Sequence, residues 1–292
     1  MKINSISPDE HNFFQIISTI AHKPKRLYFL GSLPSVGPTE VDEPLTVVAF
    51  VGTRKPTSYG KEVTCNLAYK LAQKGVIIVS GLALGIDAIA HKAAIEAGGT
   101  TVAVLANGLD SIYPATHRKL AEDIIKSGGA IISEYPPGTP ARDYQFLARN
   151  RIVSGLSQAV VVTEAAARSG TLATVAHALD QNKEVLAVPG NITSPMSVGP
   201  NRLIQQGAHP VTSAEDILEI VAPHLLETQT ILNLGSNPLE IKIIDLLQSG
   251  IRDGDELQKQ SGAEASEFAQ SITMLEINGL IRAIGGNQWT TR

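Results

Sequence analysis

The sequence is poor in the groups that staple or metallate a fold. Its one cysteine, Cys65, excludes an intramolecular disulfide framework and a cysteine-based zinc site. The seven histidines form no His-Glu-x-x-His run and no other ligand pair at helical spacing. No uninterrupted apolar stretch reaches the roughly 18 residues of a membrane span. The start, MKINSISPDEHNFF, lacks the basic-then-apolar order of a secretory signal. Neither sign of charge dominates, since 24 Lys plus Arg stand against 28 Asp plus Glu, a formal −4. With 43% hydrophobic residues, that balance excludes a polycation or a mostly disordered tail. A chain of 292 residues builds one large domain or two. The expectation is a soluble cytoplasmic protein with no membrane partner, metal or cofactor.

What is present is one pattern, repeated. Short β-branched runs at 46–51, 76–79, 101–105, 130–132, 159–163 and 184–188 end in turn-forming residues. Amphipathic segments at 59–74, 87–97, 117–126 and 171–181 lie between them. Runs apolar on both faces, alternating with helices, predict an α/β fold with a doubly wound parallel sheet. That domain is assigned to 45–227. Residues 1–44 read as an extension, with a short helix at 13–20, an edge strand at 26–30 and a loop holding Gly37, Pro38, Glu40, Asp42 and Glu43. Residues 228–238 lack periodicity and read as a linker. Helical patterns at 239–248, 255–261 and 265–278, then a hairpin at 281–290, predict a small winged helix over 239–292.

In an open parallel sheet, ligands gather at the carboxyl ends of the strands. Those ends carry Gly52-Thr53-Arg54, Ser80-Gly81 through Gly85, Asn107-Gly108, Ser133-Glu134, Glu164 with Ser169-Gly170-Thr171, and Pro189-Gly190-Asn191. Small residues admit a ligand close to the backbone, and helix N-termini there favour anions such as phosphate. The plainer alternative is that each turn is merely tight. Several such turns on one edge, one bearing Arg54, favour the anion site. No P-loop, no Gly-x-Gly-x-x-Gly spacing and no Gly-x-Ser-x-Gly elbow is present. Asp87 and His91, four apart on one helix, read as a cap and a contact before a catalytic dyad. The segment 141–154 sets Arg142, Arg149 and Arg151 beside Tyr144 and Phe146. It describes either a single-strand nucleic-acid site or an amphipathic helix with Phe146, Ile152 and Val153 in the core.

Together these residues resemble the DprA (Smf) family of DNA-processing proteins. The resemblance lies in Phe50-Val51-Gly52-Thr53-Arg54, Ser58-Tyr59-Gly60, the run 80–91, the run 104–114, Ser133-Glu134, 149–157, Glu164, Ser169-Gly170-Thr171, 187–190 and 201–208. It spans roughly residues 25 to 220 and implies an extended Rossmann-like domain that binds single-stranded DNA. It also implies self-association as a homodimer or higher oligomer, loading of RecA recombinase in natural transformation, and no enzymatic activity. Carried over, Gly52, Thr53 and Arg54 would hold a phosphate, over a floor of Ser80, Gly81, Gly85, Ser169, Gly170 and Thr171. Arg149, Arg151 and Phe146 would lie along the DNA path. The chain departs from the family at Leu147, often Pro, at Pro200, often Cys, and in its short N-terminal segment.

The winged helix holds five Lys plus Arg against eight Asp plus Glu from Ser236 onward. Its third helix has no Lys or Arg, so a protein-contact or regulatory role is expected ahead of DNA reading. Trp289 reads as a core residue closing that unit. A rival enzymatic reading is a nucleoside monophosphate phosphoribohydrolase in which Glu164 assists base release. Glu164 otherwise serves to fix the 141–154 helix or to cap the one that starts at Thr171. A third reading is a scaffold with a vestigial pocket.

Overall fold

The computed structural model describes residues 2–35, 45–226 and 237–291. The chain divides into two compact units, Met1–Leu226 and Glu227–Arg292. The first is built on nine strands: β1 (Asn4–Ile6), β2 (Leu27–Gly31), β3 (Val47–Val51), β4 (Ile77–Ser80), β5 (Thr101–Leu105), β6 (Ala130–Ser133), β7 (Ala159–Val162), β8 (Glu184–Ala187) and β9 (His209–Pro210). Their order in the sheet is β1-β2-β6-β5-β4-β3-β7-β8-β9. From β6 to β9 every pairing is parallel, whereas β2 runs antiparallel to both β6 and β1. The doubly wound α/β class is therefore present. The N-terminal segment is more than an appendage, because β2 lies inside the sheet and β1 takes the edge. Three-residue β1 has no apolar alternation to announce it, and its burial is only partial.

Two-faced burial accounts for the apolar strands. Val47, Ala49 and Val51 pack on one face with Ile152, Val153 and Val175, while Val48 and Phe50 pack on the other with Leu67, Leu71 and Ile217. The helices that supply those partners are α2 (Ser58–Gln73), α5 (Asp143–Gly155), α6 (Thr171–Asp180) and α8 (Ala214–Val221). Helix α3 (Ile86–Glu96) and helix α4 (Arg118–Lys126) cover the β4–β6 side, and α7 (Val198–Gln205) leads into β9. The expected helix at 13–20 divides into a short α1 (Asn12–Gln15) and a 3-10 turn, Ile16–Thr19, whose Phe14 and Ile17 are buried in the first cluster. The expected acidic loop at 37–43 lies outside the described residues.

The chain order sets where a ligand fits. Strands β3 to β6 run outward in one direction, and β7 then returns to the other side of β3. That reversal leaves a cleft at the carboxyl ends of β3 and β7.

The second unit comprises α9 (Pro238–Gln248), α10 (Gly254–Ser261), α11 (Ala265–Ile277), β10 (Ile281–Gly285) and β11 (Gln288–Thr291). The linker reading ran too far. Asn237 caps α9 by accepting from Glu240 N at 2.9 Å, and Pro238 occupies the first turn, where a missing N–H costs nothing. The rest of that linker lies outside the described residues. Ile243, Ile244, Leu257, Phe268, Ile272 and Leu275 form the core, with Trp289 packed against it. Among the described residues no helix is long and apolar enough to cross a membrane.

Candidate nucleic-acid interface

The cleft at the β3–β7 reversal is a cavity of about 400 Å³. Gly52, Thr53 and Arg54 reach it from β3, Gly81 and Ala83 from β4, Phe146, Leu147 and Arg149 from α5, and Arg168, Ser169, Gly170 and Thr171 from the start of α6. Nine of the twelve residues assigned from sequence therefore line one cavity. Ser80, Gly85 and Arg151 do not.

Each of those three has a different occupation. Ser80 is fully buried and donates to the Phe50 carbonyl at 2.6 Å, which fastens β4 to β3. Gly85 turns the chain into α3 with φ +82°, and a Cβ there would overlap the Thr53 carbonyl. It shapes the loop that carries Thr53 without lining the cavity. Arg151 points to the other flank of α5, where it pairs bidentately with Glu134 at 2.7 and 2.8 Å and donates to His22 O at 2.9 Å. It is a fastener between α5, the end of β6 and the N-terminal segment.

Arg149 lines the cavity from beneath. Its side chain is buried, and its Nη1 donates to the carbonyls of Gly81, at 2.7 Å, and Val104. Burial pushes its pKa down to about 10, against the pull of neighbouring Asp87. Asp87 is held by amides, with Oδ2 accepting from Gly81 N at 3.0 Å and Ala83 N at 3.2 Å. Burial raises its pKa, and the Arg149 charge and these hydrogen bonds oppose the rise. The Gly81 amide therefore faces a carboxylate and is not free for an anion. What Gly81 supplies is space, because a Cβ would stand 2.5 Å from both Arg149 terminal nitrogens.

The cations left for a ligand are Arg54 and Arg168. Both are exposed, line the cavity and carry no ion pair among the described residues. Arg54 lies 5.9 Å from the Phe146 ring centroid, within cation–π reach. Helix α6 begins here after Gly170, its positive end toward the cavity, and its first amide, Thr171 N, already donates to Ser169 Oγ at 3.2 Å. Arg168 went unnoticed in the sequence. Its signal was its place two residues ahead of the glycine that opens α6.

Asp87 and His91 do not form a dyad. His91 is buried, with Nδ1 2.7 Å from Thr101 Oγ1, and that hydroxyl donates to the Ile78 carbonyl. Its hydrogen being used there, Oγ1 accepts, so the proton sits on Nδ1 and Nε2 is a bare lone pair without a partner. Burial, with the His117 and Arg149 charges, pushes the His91 pKa down to about 3. The unfolded chain, with an ordinary histidine near 6.5, binds a proton that the fold refuses. Stability from this residue is whole above that value and falls as pH drops toward 3, by about 2 kcal/mol at pH 5. Urea unfolding at pH 7.5 and pH 5 checks this. His91→Gln is expected to lose about 2 kcal/mol less than wild type between the two.

Glu164 has a third role that the sequence did not suggest. Its carboxylate is buried and accepts from Thr57 N at 2.8 Å and Thr57 Oγ1 at 2.6 Å, holding the residue that caps α2. It lines a separate cavity of about 370 Å³ with Tyr59, Gly190, Asn191 and Ser197. Asn201, beside the departure at Pro200, brackets Gly190 through its backbone N and O at 3.1 and 2.9 Å. Leu147 is accommodated inside α5 and is half exposed. Among the described residues no group of three or more His, Cys, Asp or Glu is placed to hold a metal.

Residues 4–222 match the DNA recombination-mediator protein A family, and 232–287 match the DprA winged helix domain. The chain belongs to the DNA recombination-mediator protein A family. Protein Smf of Escherichia coli is 40% identical over 247 residues, 82% of this chain and 66% of that protein. DNA processing protein DprA of Bacillus subtilis is 47% identical over 172 residues, 59% of this chain and 58% of that one. The chain thus spans under two thirds of the length of these curated relatives. DNA processing protein A of Streptococcus pneumoniae superposes with a TM-score of 0.66 and 35% identity, over 76% of this chain and 75% of that one. DNA processing protein A from Helicobacter pylori, whose structure concerns its single-stranded DNA binding mode, gives 0.64 and 32%, over 75% of this chain and 95% of that one.

Proposed function

We propose that this chain is a non-catalytic, single-stranded DNA-binding recombination mediator. It holds the strand by its phosphates at the β3–β7 cavity, shields it, and loads RecA recombinase on it in the cytoplasm during natural transformation. The observation that supports this most is the pair of arginines without an ion pair among the described residues, Arg54 and Arg168, lining a cavity that the start of α6 also lines. Family membership and the single-stranded DNA binding named for the Helicobacter pylori relative agree with it. The phosphoribohydrolase alternative gives base release to Glu164, which lies in the neighbouring cavity, engaged by Thr57; the carboxylates that line the phosphate cavity are Asp87, held by two amides, and Asp143.

A net charge of −4 offers no broad basic surface, so each protomer neutralises few phosphates. Avidity then comes from a homodimer or higher assembly on the strand. The winged helix adds no phosphate-binding surface along α11, whose exposed face carries Glu267, Met274 and Ile277. Its role in this reading is contact with protein. The test is RecA filament assembly on single strands precoated with single-strand-binding protein. The chain is expected to shorten the lag and Arg54→Ala to restore it; an unchanged lag with wild type would refute the mediator role.

A further inference from the structure

Glu164 carries a buried charge that phosphate binding does not use. The residue is 1% exposed, and no Lys, Arg or His pairs with it among the described residues. Thr57 fills one acceptor position on each carboxylate oxygen, which leaves about two more open. The start of α2, capped by Thr57, meets part of the charge. The rest reaches Tyr59, whose hydroxyl pKa is raised by burial and then by the Glu164 charge.

That carboxylate lines the cavity of about 370 Å³ already described, opposite the loop that follows β8. From this loop come Asn191, Ser194 and Ser197. Ser197 is 3% exposed, yet its hydroxyl makes no hydrogen bond among the described residues, and the Ser194 hydroxyl makes none either. Ser197 Oγ sits close over Gly190, where a Cβ would stand 2.3 Å from it. The loop is fastened by its own backbone, with Ser194 N donating to Asn191 O at 2.9 Å and Ser197 N to Ser194 O at 3.1 Å. The oxygens are thus in place before any ligand arrives, which lowers the ordering cost of binding.

An oxygen-lined cavity with a buried carboxylate and no cation of its own selects positive charge carried on N–H donors. A metal ion suits it poorly, because among the described residues no three acidic, histidine or cysteine side chains converge to hold one. A guanidinium docks through both carboxylate oxygens at once, and Thr57 already occupies a position on each. An ammonium needs one carboxylate oxygen and two neutral acceptors, the set that Glu164, Ser194 and Ser197 offer. We propose that this cavity binds a primary alkylammonium group, held between Glu164 and the hydroxyls of Ser194 and Ser197. A free polyamine and a lysine side chain of a partner protein share that chemistry. The site is separate from the phosphate cavity, so it stands or falls without DNA.

Isothermal titration calorimetry of the DNA-free chain tests it at about 0.15 M salt, where attraction to the surface is screened. The ligands are spermidine, Nα-acetyl-lysine amide, and tetramethylammonium, which has the charge but no N–H. At least one of the two amines is expected to saturate a single site, and tetramethylammonium is not. Tighter binding of spermidine assigns the site to a free polyamine, and tighter binding of the lysine derivative to a protein side chain. Glu164→Gln keeps the shape and an oxygen for Thr57 but loses the charge, and should weaken the amine by about tenfold or more. Ser197→Ala strands no partner; it should weaken the amine by about fivefold at unchanged melting temperature, and it carries the test if Glu164→Gln does not fold. No saturable binding of either amine, equal binding of tetramethylammonium, or amine affinity unmoved by Ser197→Ala would overturn the proposal.

Discussion

Arg54→Ala is expected to weaken single-stranded DNA binding by roughly 10- to 100-fold without lowering thermal stability. Arg54 is exposed, has no ion pair among the described residues and touches the fold mainly through the Phe146 ring. Removing it leaves no buried partner stranded, so the folded state loses little. The bound state loses a charge-assisted contact to phosphate, which is worth about 1.5–3 kcal/mol. Arg54→Lys should recover only part of the loss, since an ammonium keeps the charge but neither the fork nor the flat face that lies over Phe146. Anisotropy titration of a labelled strand at two salt concentrations reads both effects. The slope of log K against log salt should shrink by about 0.7 for one lost phosphate contact.

Arg149→Met should behave in the opposite way, with a melting temperature lower by about 10 °C or more and DNA binding lost only as the fold is lost. Arg149 is buried and carries the Gly81 and Val104 carbonyls. Its charge also offsets that of Asp87, which is buried with two amides on one oxygen. Deleting one member of such a pair leaves the other uncompensated, at a cost of about 3–5 kcal/mol. Thermal unfolding of Arg54→Ala and Arg149→Met side by side separates the roles. One variant should lose affinity at unchanged stability and the other stability first. Equal stability of Arg149→Met and wild type would refute this placement of Arg149.

Much of the sheet was legible because its strands are apolar on both faces, and that pattern survives without knowledge of tertiary contacts. Val47–Val51 is such a run, and every residue in it is buried. The order of the glycine turns along the chain also carried the cleft, since a parallel sheet delivers all its βα loops to one edge. What was not legible was direction. Arg149 and Arg151 are two residues apart on α5, so their side chains leave the helix about 200° apart. One lies beneath the cavity, the other on Glu134. The family resemblance places both along the DNA path, which helical spacing of two residues does not allow for one face. Glu164 misled for a related reason. Its partner, Thr57, is 107 residues away in sequence, and nothing local links them. The Gly81 amide is a third case, because its carboxylate partner comes from the first turn of α3. In each, the residue type was informative and a partner fixed only by the folded chain decided the role, 107 residues away for Glu164 and six for Gly81.

The measurement that tests the central claim most directly is a crystal structure with a short oligothymidylate bound. This account predicts a backbone phosphate within hydrogen-bond distance of the Arg54 guanidinium, at the cavity that also holds Gly52, Thr53 and the start of α6. Density for the strand along the Arg151–Glu134 flank, with the β3–β7 cavity empty, would contradict it.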